Sequence, residues 1–310
     1  MIGELEGFGW ECFGRIKLLK SMSRLALGTA QFGFPYGIAN RQGQVNRAEA
    51  KAMLESALIH GIDTLDTAIA YGESESCLGE VGTKRFKLIS KLPALPESCT
   101  DIGGWVQGQF SGSLARLGVS GLYGLILHRP DQLIGSNGKK LYHALQLLKD
   151  SGQVQKIGIS IYAPSELDAL TEYYSVDIVQ APFNLVDRRL QTTGWLRRLK
   201  RQGVEIHTRS AFLQGLLLMP QYAIPSKFAP WNGLWERWHT WLFEHNISAL
   251  QACLAFPLAY PAIDRVVVGA DSVQQLQQII DAETVAFSET LPDLACEVEN
   301  LINPSCWTSL

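Results

Sequence analysis

A chain of 310 residues with 46% apolar side chains is long for one sandwich and suits one α/β barrel or two smaller domains. Its net charge of −3 excludes the basic stripe of a dedicated nucleic-acid binder, and no apolar run approaches the ~20 residues that cross a bilayer. Six scattered cysteines, Cys12, Cys77, Cys99, Cys253, Cys296 and Cys306, make no C-x-x-C pair and no zinc-like spacing, which points to reduced thiols in a cytoplasmic protein.

The chain opens with "MIGELEGFGWECFGRIKLLKSMSRLALG", which lacks the charge, apolar core and small-residue cleavage site of a secretory signal. An internal methionine, Met22, stands immediately before the first strand-like run. Residues 1–21 therefore read as a start-site extension or a loose arm, and residues 1–23 as a segment outside the fold.

From there, short apolar runs alternate with amphipathic stretches. The runs fall at 24–27, 62–65, 86–90, 121–127, 156–161, 176–180, 204–208 and 265–268. The stretches between and after them span 47–60, 75–81, 101–117, 139–150, 165–173, 187–202, 231–260 and 273–280. Strict alternation requires parallel strands joined by right-handed crossovers, and eight such units close a (β/α)8 TIM barrel. A doubly wound open sheet would want a G-x-G-x-x-G turn after its first strand, and "LGTAQFGFPYG" supplies none opening a helix. No linker or repeat divides the chain, so residues 24–284 read as one barrel domain and 285–310 as a C-terminal tail. That tail would either lid the mouth or pack outside. The basic stretch 187–203 reads as the solvated face of a helix.

In such a barrel, chemistry sits at the C-terminal strand ends. Asp66 closes the second run and Tyr71 follows it; Lys91 closes the third, in "FKLISKLP"; His128 closes the fourth, in "LILHRPD". Singly, each has a structural explanation: a helix cap, a loop anchor, a snorkelling lysine, a core histidine. Four polar groups ending three consecutive apolar strands are harder to place in a core, because unpartnered burial costs a few kcal/mol apiece. As a set they make an acid. An ammonium beside a phenol favours the phenolate, an aspartate keeps that ammonium charged, and an imidazole can steer a carbonyl oxygen toward the phenol. Such a group protonates an oxygen on which charge builds as hydride reaches carbon, and a nicotinamide can donate that hydride.

With these residues in order, the chain resembles the aldo-keto reductase family of NAD(P)H-dependent β/α-barrel enzymes over residues 25–280. The motifs that carry the resemblance are "DTAIAYG" for D-x-A-x-x-Y-G, "SKLP" and "LILHRP". It implies a catalytic set of Asp66, Tyr71, Lys91 and His128, with Tyr71 as general acid, a small-molecule carbonyl substrate, and NADP(H) or NAD(H) as cofactor. It places Gly28 and Thr29 of "ALGTAQFG" near the nicotinamide, and Ser160 and Gln180 on its carboxamide. Ile161 stands where the family has an asparagine, and Arg209 where it has a tyrosine that stacks on the nicotinamide. A guanidinium can also stack on a flat ring. Ser210, Phe212, Gln214, Gly215 and Leu216 would line the pyrophosphate path. Gly269, Ala270, Asp271, Ser272, Gln275 and Gln278 would form the phosphate and ribose end, leading into a helix N-terminus.

NADP-preferring relatives carry Lys or Arg in that last region, where this chain has Asp271 and Gln275. A carboxylate repels a 2′-phosphate and accepts from a free ribose hydroxyl, so both cofactors stay open; Asp271 also reads as a plain helix N-cap. Phe32, Phe34, Tyr36, Arg129 and Trp231 are the candidate substrate walls. Trp231, Trp235, Trp238 and Trp241 step three or four apart, the spacing of one buried helix face. Two other barrels remain: a cofactor-binding sensor with little turnover, suggested by Ile161 and Arg209, and an aldolase using Lys91 as a Schiff-base amine. Metal-dependent hydrolysis finds no H-x-H or H-E-x-x-H pairing. No nucleic-acid or membrane partner is expected, and oligomeric state is unassigned.

Overall fold

Eight parallel strands pair in sequence order and β8 returns to β1, closing the barrel that the alternation predicts. The structure is a computed structural model and describes residues 23–283 and 290–309. The strands are β1 Leu25–Gly28, β2 Thr64–Asp66, β3 Lys87–Leu92, β4 Leu122–Leu127, β5 Val154–Ser160, β6 Ile178–Pro182, β7 Glu205–Arg209 and β8 Arg265–Gly269. The helices are α1 Arg47–Ile59, α2 Ser74–Val81, α3 Ile102–Leu117, α4 Gly138–Asp150, α5 Ser165–Leu170, α6 Arg189–Thr192, α7 Trp195–Arg201, α8 Asn232–His245, α9 Ala249–Leu258, α10 Val273–Glu283 and α11 Glu299–Ile302. Apart from Ser23, the expected N-terminal extension lies outside the described residues, as does the expected barrel end at 284.

Two expected long helices are each divided. The stretch 187–202 breaks at Gly194, whose φ of 81° starts α7 separately from α6. The stretch 231–260 breaks at Asn246, a left-handed residue with φ 51°, after which Ser248 and Gln251 form a capping box that opens α9. Six strands end one or two residues later than their apolar runs, while β4 ends with its run and β5 one residue before it. At β2 and β7 a polar residue stops the apolar run while its backbone stays in the ladder, as in Gly28↔Asp66 and Pro182↔Arg209.

The main core fills the space between sheet and helices, and Trp235, Trp238 and Trp241 belong to it, the buried face that their spacing predicts. Inside the barrel stands a separate cluster of Ile89, Ile126 and Ile178. The interior is tight there: a Cβ on Gly158 would lie 2.3 Å from the Ile178 carbonyl oxygen, so only glycine fits. Below the isoleucines, at the N-terminal strand ends, lies a charged layer. Glu205 takes Lys156, the Tyr123 hydroxyl at 2.7 Å and His207 Nε2 at 2.7 Å, while Asp63 takes Lys87 at 2.9 Å and Arg265 at 3.1 Å.

The C-terminal segment is pinned to the loops that follow β6 and β7, at the opposite end. Cys296 N–H donates to the Val186 carbonyl at 2.9 Å, Arg188 to the Pro292 carbonyl at 2.6 Å and Lys227 Nζ to the Trp307 carbonyl at 2.7 Å. Arg189 adds an ion pair with Glu299. The basic stretch exposes Arg197, Arg198, Lys200 and Arg201 to water, the solvated face expected of it. No helix among the described residues is long and apolar enough to cross a membrane.

Candidate active site

Asp66 is the hub. Its Oδ1 accepts from Lys91 Nζ at 2.5 Å and its Oδ2 from the Gln180 amide at 2.6 Å. Lys91 also donates to the Thr67 carbonyl at 2.8 Å and is only 1% exposed, so it neither snorkels nor caps. Burial opposes the Lys91 charge, but Asp66 and the Tyr71 hydroxyl outweigh it and hold the ammonium above the usual lysine value.

Tyr71 reaches this pair because three hydroxyls fix the turn that carries it. Ser74 Oγ lies 2.9 Å from Thr29 Oγ1 and 3.0 Å from Thr67 Oγ1, while Ser74 N–H donates to the Tyr71 carbonyl at 2.9 Å. Behind the turn the backbone is in contact with Gly33, where a Cβ would fall 1.7 Å from the Tyr71 carbonyl oxygen. Lys91 Nζ stands 5.0 Å from the Tyr71 ring centroid, and His128 meets the ring edge-on at 5.9 Å. The four strand-end residues therefore converge. Burial, then the Lys91 and Arg209 charges, pushes the His128 pKa down to about 4, so the imidazole is neutral near neutral pH.

The expected cofactor residues divide. Gly28 and Thr29 end β1 beside this group; Ser160 and Gln180 are fully buried, with Ser160 Oγ donating to Gln180 Oε1 at 3.3 Å. Ile161, Leu216 and Ala270 instead turn their side chains into the core. One flat face of the Arg209 guanidinium lies 4.7 Å over the Tyr162 ring, and its Nη2 donates to the Ile161 carbonyl at 2.9 Å. After Arg209 the backbone enters the left-handed region at three non-glycine residues: Ser210 (φ 64°), Leu213 (φ 48°) and Gln214 (φ 52°), followed by Gly215 (φ 90°). Each such non-glycine residue costs about 1 kcal/mol or more and persists only where its surroundings hold it. Phe212 packs partly against the core.

At the end of β8, Asp271 accepts from Asn40 Nδ2 at 3.1 Å, and its N–H donates to Gln275 Oε1 at 2.8 Å. The capping side chain is Ser272, which accepts from Gln275 N–H at 3.2 Å, so Asp271 is not the N-cap. The Val273 N–H at the start of α10 is taken by Glu49, at 2.5 Å. The Gln31 side chain lies across Gly269. Burial raises the Asp271 pKa, opposed by Gln275, Asn40 and Gln31. Gln278 is exposed one turn along α10. Tyr162, Asn40, Gln31 and Glu49 are the participants that sequence reading misses.

Of the expected substrate walls, Phe34 meets Tyr71 edge-on at 6.1 Å and Tyr36 at 5.8 Å. Burial raises the Tyr36 phenol above its usual pKa. Phe32 is fully buried in the main core and forms no wall, because the 3-10 turn after β1 points it inward. Arg129 is exposed and paired with Asp131 at 3.2 Å. Trp231 is half-buried against Phe228, itself packed on Trp307, and so belongs to the seat of the C-terminal segment.

Residues 24–291 match the family model described as the aldo/keto reductase family. The chain is similar to a pyridoxal 4-dehydrogenase from Microbacterium luteolum, with 23% identity over 88% of this chain and 92% of the relative. It is also similar to a 6-dehydroglucose reductase from Agrobacterium fabrum, with 25% identity over 77% of this chain and 84% of that one. In fold it resembles the holo form of an aldo-keto reductase from Bacillus halodurans, with a TM-score of 0.68 and 20% identity over 86% of this chain and 88% of the other.

Proposed function

Since the chain belongs to the aldo/keto reductase family, we propose that it is an NAD(P)H-dependent oxidoreductase that reduces an aldehyde or ketone to the alcohol. The observation that carries this reading is the meeting of Tyr71 with a buried, charged Lys91–Asp66 pair and a neutral His128. A bound dinucleotide would supply the hydride. Tyr71 gives its proton to the carbonyl oxygen as negative charge builds there. Lys91 is the cation nearest the phenolate left behind, and Asp66 keeps it in place. His128, uncharged, donates a hydrogen bond to the same oxygen and turns it toward Tyr71.

The buried end of the site fits a carboxamide. Gln180 spends one amide N–H on Asp66 and accepts only the long Ser160 contact, which leaves it a donor and most of an acceptor. Gly28 and Thr29 border that place, and Ser210, Phe212, Gln214, Gly215, Gly269, Ser272, Gln275 and Gln278 would follow the rest of the dinucleotide. At the far end, the Asp271–Asn40 pair suits ribose hydroxyls, and the carboxylates of Asp271 and Glu49 disfavour a 2′-phosphate. We therefore favour NADH over NADPH. The Cys77, Cys99, Cys253 and Cys296 thiols suit work in the cytoplasm. Lys91 is a poor Schiff-base amine, because Asp66 and Tyr71 hold it protonated. A sensor with little turnover is the second reading; it draws on Ile161, whose buried side chain leaves the family asparagine's place without an amide.

Fluorescence titration with NADH and NADPH, followed by an aldehyde panel, separates these readings. Tyr71→Phe is expected to lose about a hundredfold or more in turnover while keeping NADH affinity. Full activity in that variant would remove Tyr71 as the acid, and tight NADH binding with no turnover in wild type would favour the sensor.

A further inference from the structure

Arg209 brings a charge to the mouth that nothing around it answers. Its Nη2 donates to the Ile161 carbonyl at 2.9 Å, its Nη1 to Ser210 Oγ at 3.2 Å, and one flat face rests on Tyr162 at 4.7 Å. These contacts fix the guanidinium yet spend only two of its five N–H donors. Both oxygen partners are neutral, and among the described residues no carboxylate pairs with it. The neighbouring charged groups are already engaged. Lys91 is bound to Asp66 and Arg129 to Asp131, while Glu166 accepts from the Tyr162 and Ala163 N–H groups at 2.6 and 2.8 Å. At the C-terminal end of β7, Arg209 stands near enough to His128 and Tyr36 for its charge to bear on both.

A half-buried guanidinium held in place with a free edge is the arrangement that binds an oxyanion through two parallel hydrogen bonds. Desolvating it without a counter-charge costs free energy that an anionic ligand returns. We propose that Arg209 is a specificity-determining residue that pairs with an oxyanion, carboxylate or phosphate, carried by the carbonyl substrate. The assignment rests on the carbonyl-reduction reading above. It replaces the expectation that Arg209 stacks on the nicotinamide.

The test uses matched substrates: 4-oxobutanoate against butanal, and glyceraldehyde 3-phosphate against glyceraldehyde, with wild type, Arg209→Met and Arg209→Lys. Wild type is expected to favour one anionic member by about tenfold or more in kcat/KM, chiefly through KM. That preference should collapse in Arg209→Met and partly survive in Arg209→Lys. The pair that responds identifies the oxyanion. Calorimetric binding of the same four compounds, and of NADH, accompanies the kinetics. If none is turned over, the reduction reading falls, and the binding preference alone still decides the role of Arg209. Should Arg209→Met not fold, competitive inhibition of wild-type butanal reduction by succinate or inorganic phosphate is the expected result, and its absence overturns the proposal. Equal treatment of charged and neutral partners by wild type overturns it. So does a variant that loses NADH affinity while keeping the substrate preference, which would return Arg209 to the cofactor.

Discussion

His128 illustrates what a single side chain gains from its neighbours. Burial and three nearby cations, Lys91, Arg209 and Arg129, hold its pKa at about 4 against an ordinary 6.5, so the ring donates as a neutral imidazole. The kcat/KM profile should then show no inflection near 6.5 from this residue. Stability behaves differently. As pH falls below 6.5 the unfolded chain takes the His128 proton first, so the folded state loses ground until the folded pKa near 4 is passed. The loss amounts to at most about 3 kcal/mol. Urea unfolding across that window should be flatter in His128→Gln; an unchanged slope would mean that the ring protonates freely. Asp66, Lys91 and His128 were legible in the sequence because each is a polar group that closes an apolar run, and Tyr71 because it follows Asp66 in the D-x-A-x-x-Y-G pattern. Tyr162 and Asn40 were not. An aromatic beyond a strand or an asparagine in a loop has no periodic partner to announce it, and their contacts with Arg209 and Asp271 exist only once the barrel has closed.

Among the elements, the loops after β1 and β2 touch through bare backbone at Gly33 and Gly72, the latter with φ +51°. A methyl group at position 33 would meet the Tyr71 carbonyl oxygen and push the acid's turn away. Gly33→Ala should therefore lower kcat by about a hundredfold, the scale of an ångström-sized misplacement. Its circular dichroism should remain that of a barrel, and wild-type kcat would show that the turn can yield. Element type was readable from periodicity, whereas boundaries were not. The apolar runs of β2 and β7 stop just before a polar side chain, yet Asp66 and Arg209 still pair along the ladder. Helical periodicity runs straight through Gly194 and Asn246, so the breaks had to be sought in capping residues, of which "SALQ" after Asn246 is one.

At the level of the whole molecule, strand count and alternation sufficed for the barrel, because eight crossovers of one hand leave little else to build. The seat of the C-terminal segment was beyond reach, since Arg189–Glu299 and Lys227–Trp307 join positions far apart in the chain with no motif between them. The lower charged layer depends on Glu205, whose half-buried carboxyl is held well below the usual carboxylate range by His207, Lys156 and Tyr123 against the opposing effect of burial. A depressed carboxyl stabilises the fold above the unfolded-state value of about 4.3, and that contribution fades as pH falls toward the folded pKa. Glu205→Gln should cost about 1 kcal/mol at neutral pH, because the partly exposed Lys156 loses its counter-charge, and kcat should stay at the wild-type value. A matching drop in kcat would contradict this. The reason is the isoleucine plug between the two ends. Neither Glu205 nor Lys156 is among the groups that act most strongly on the proton affinity of Lys91 or His128. Ile89, Ile126 and Ile178 act as an electrical spacer, and the lower mouth can be rebuilt for heat resistance or surface attachment without retuning the acid above it.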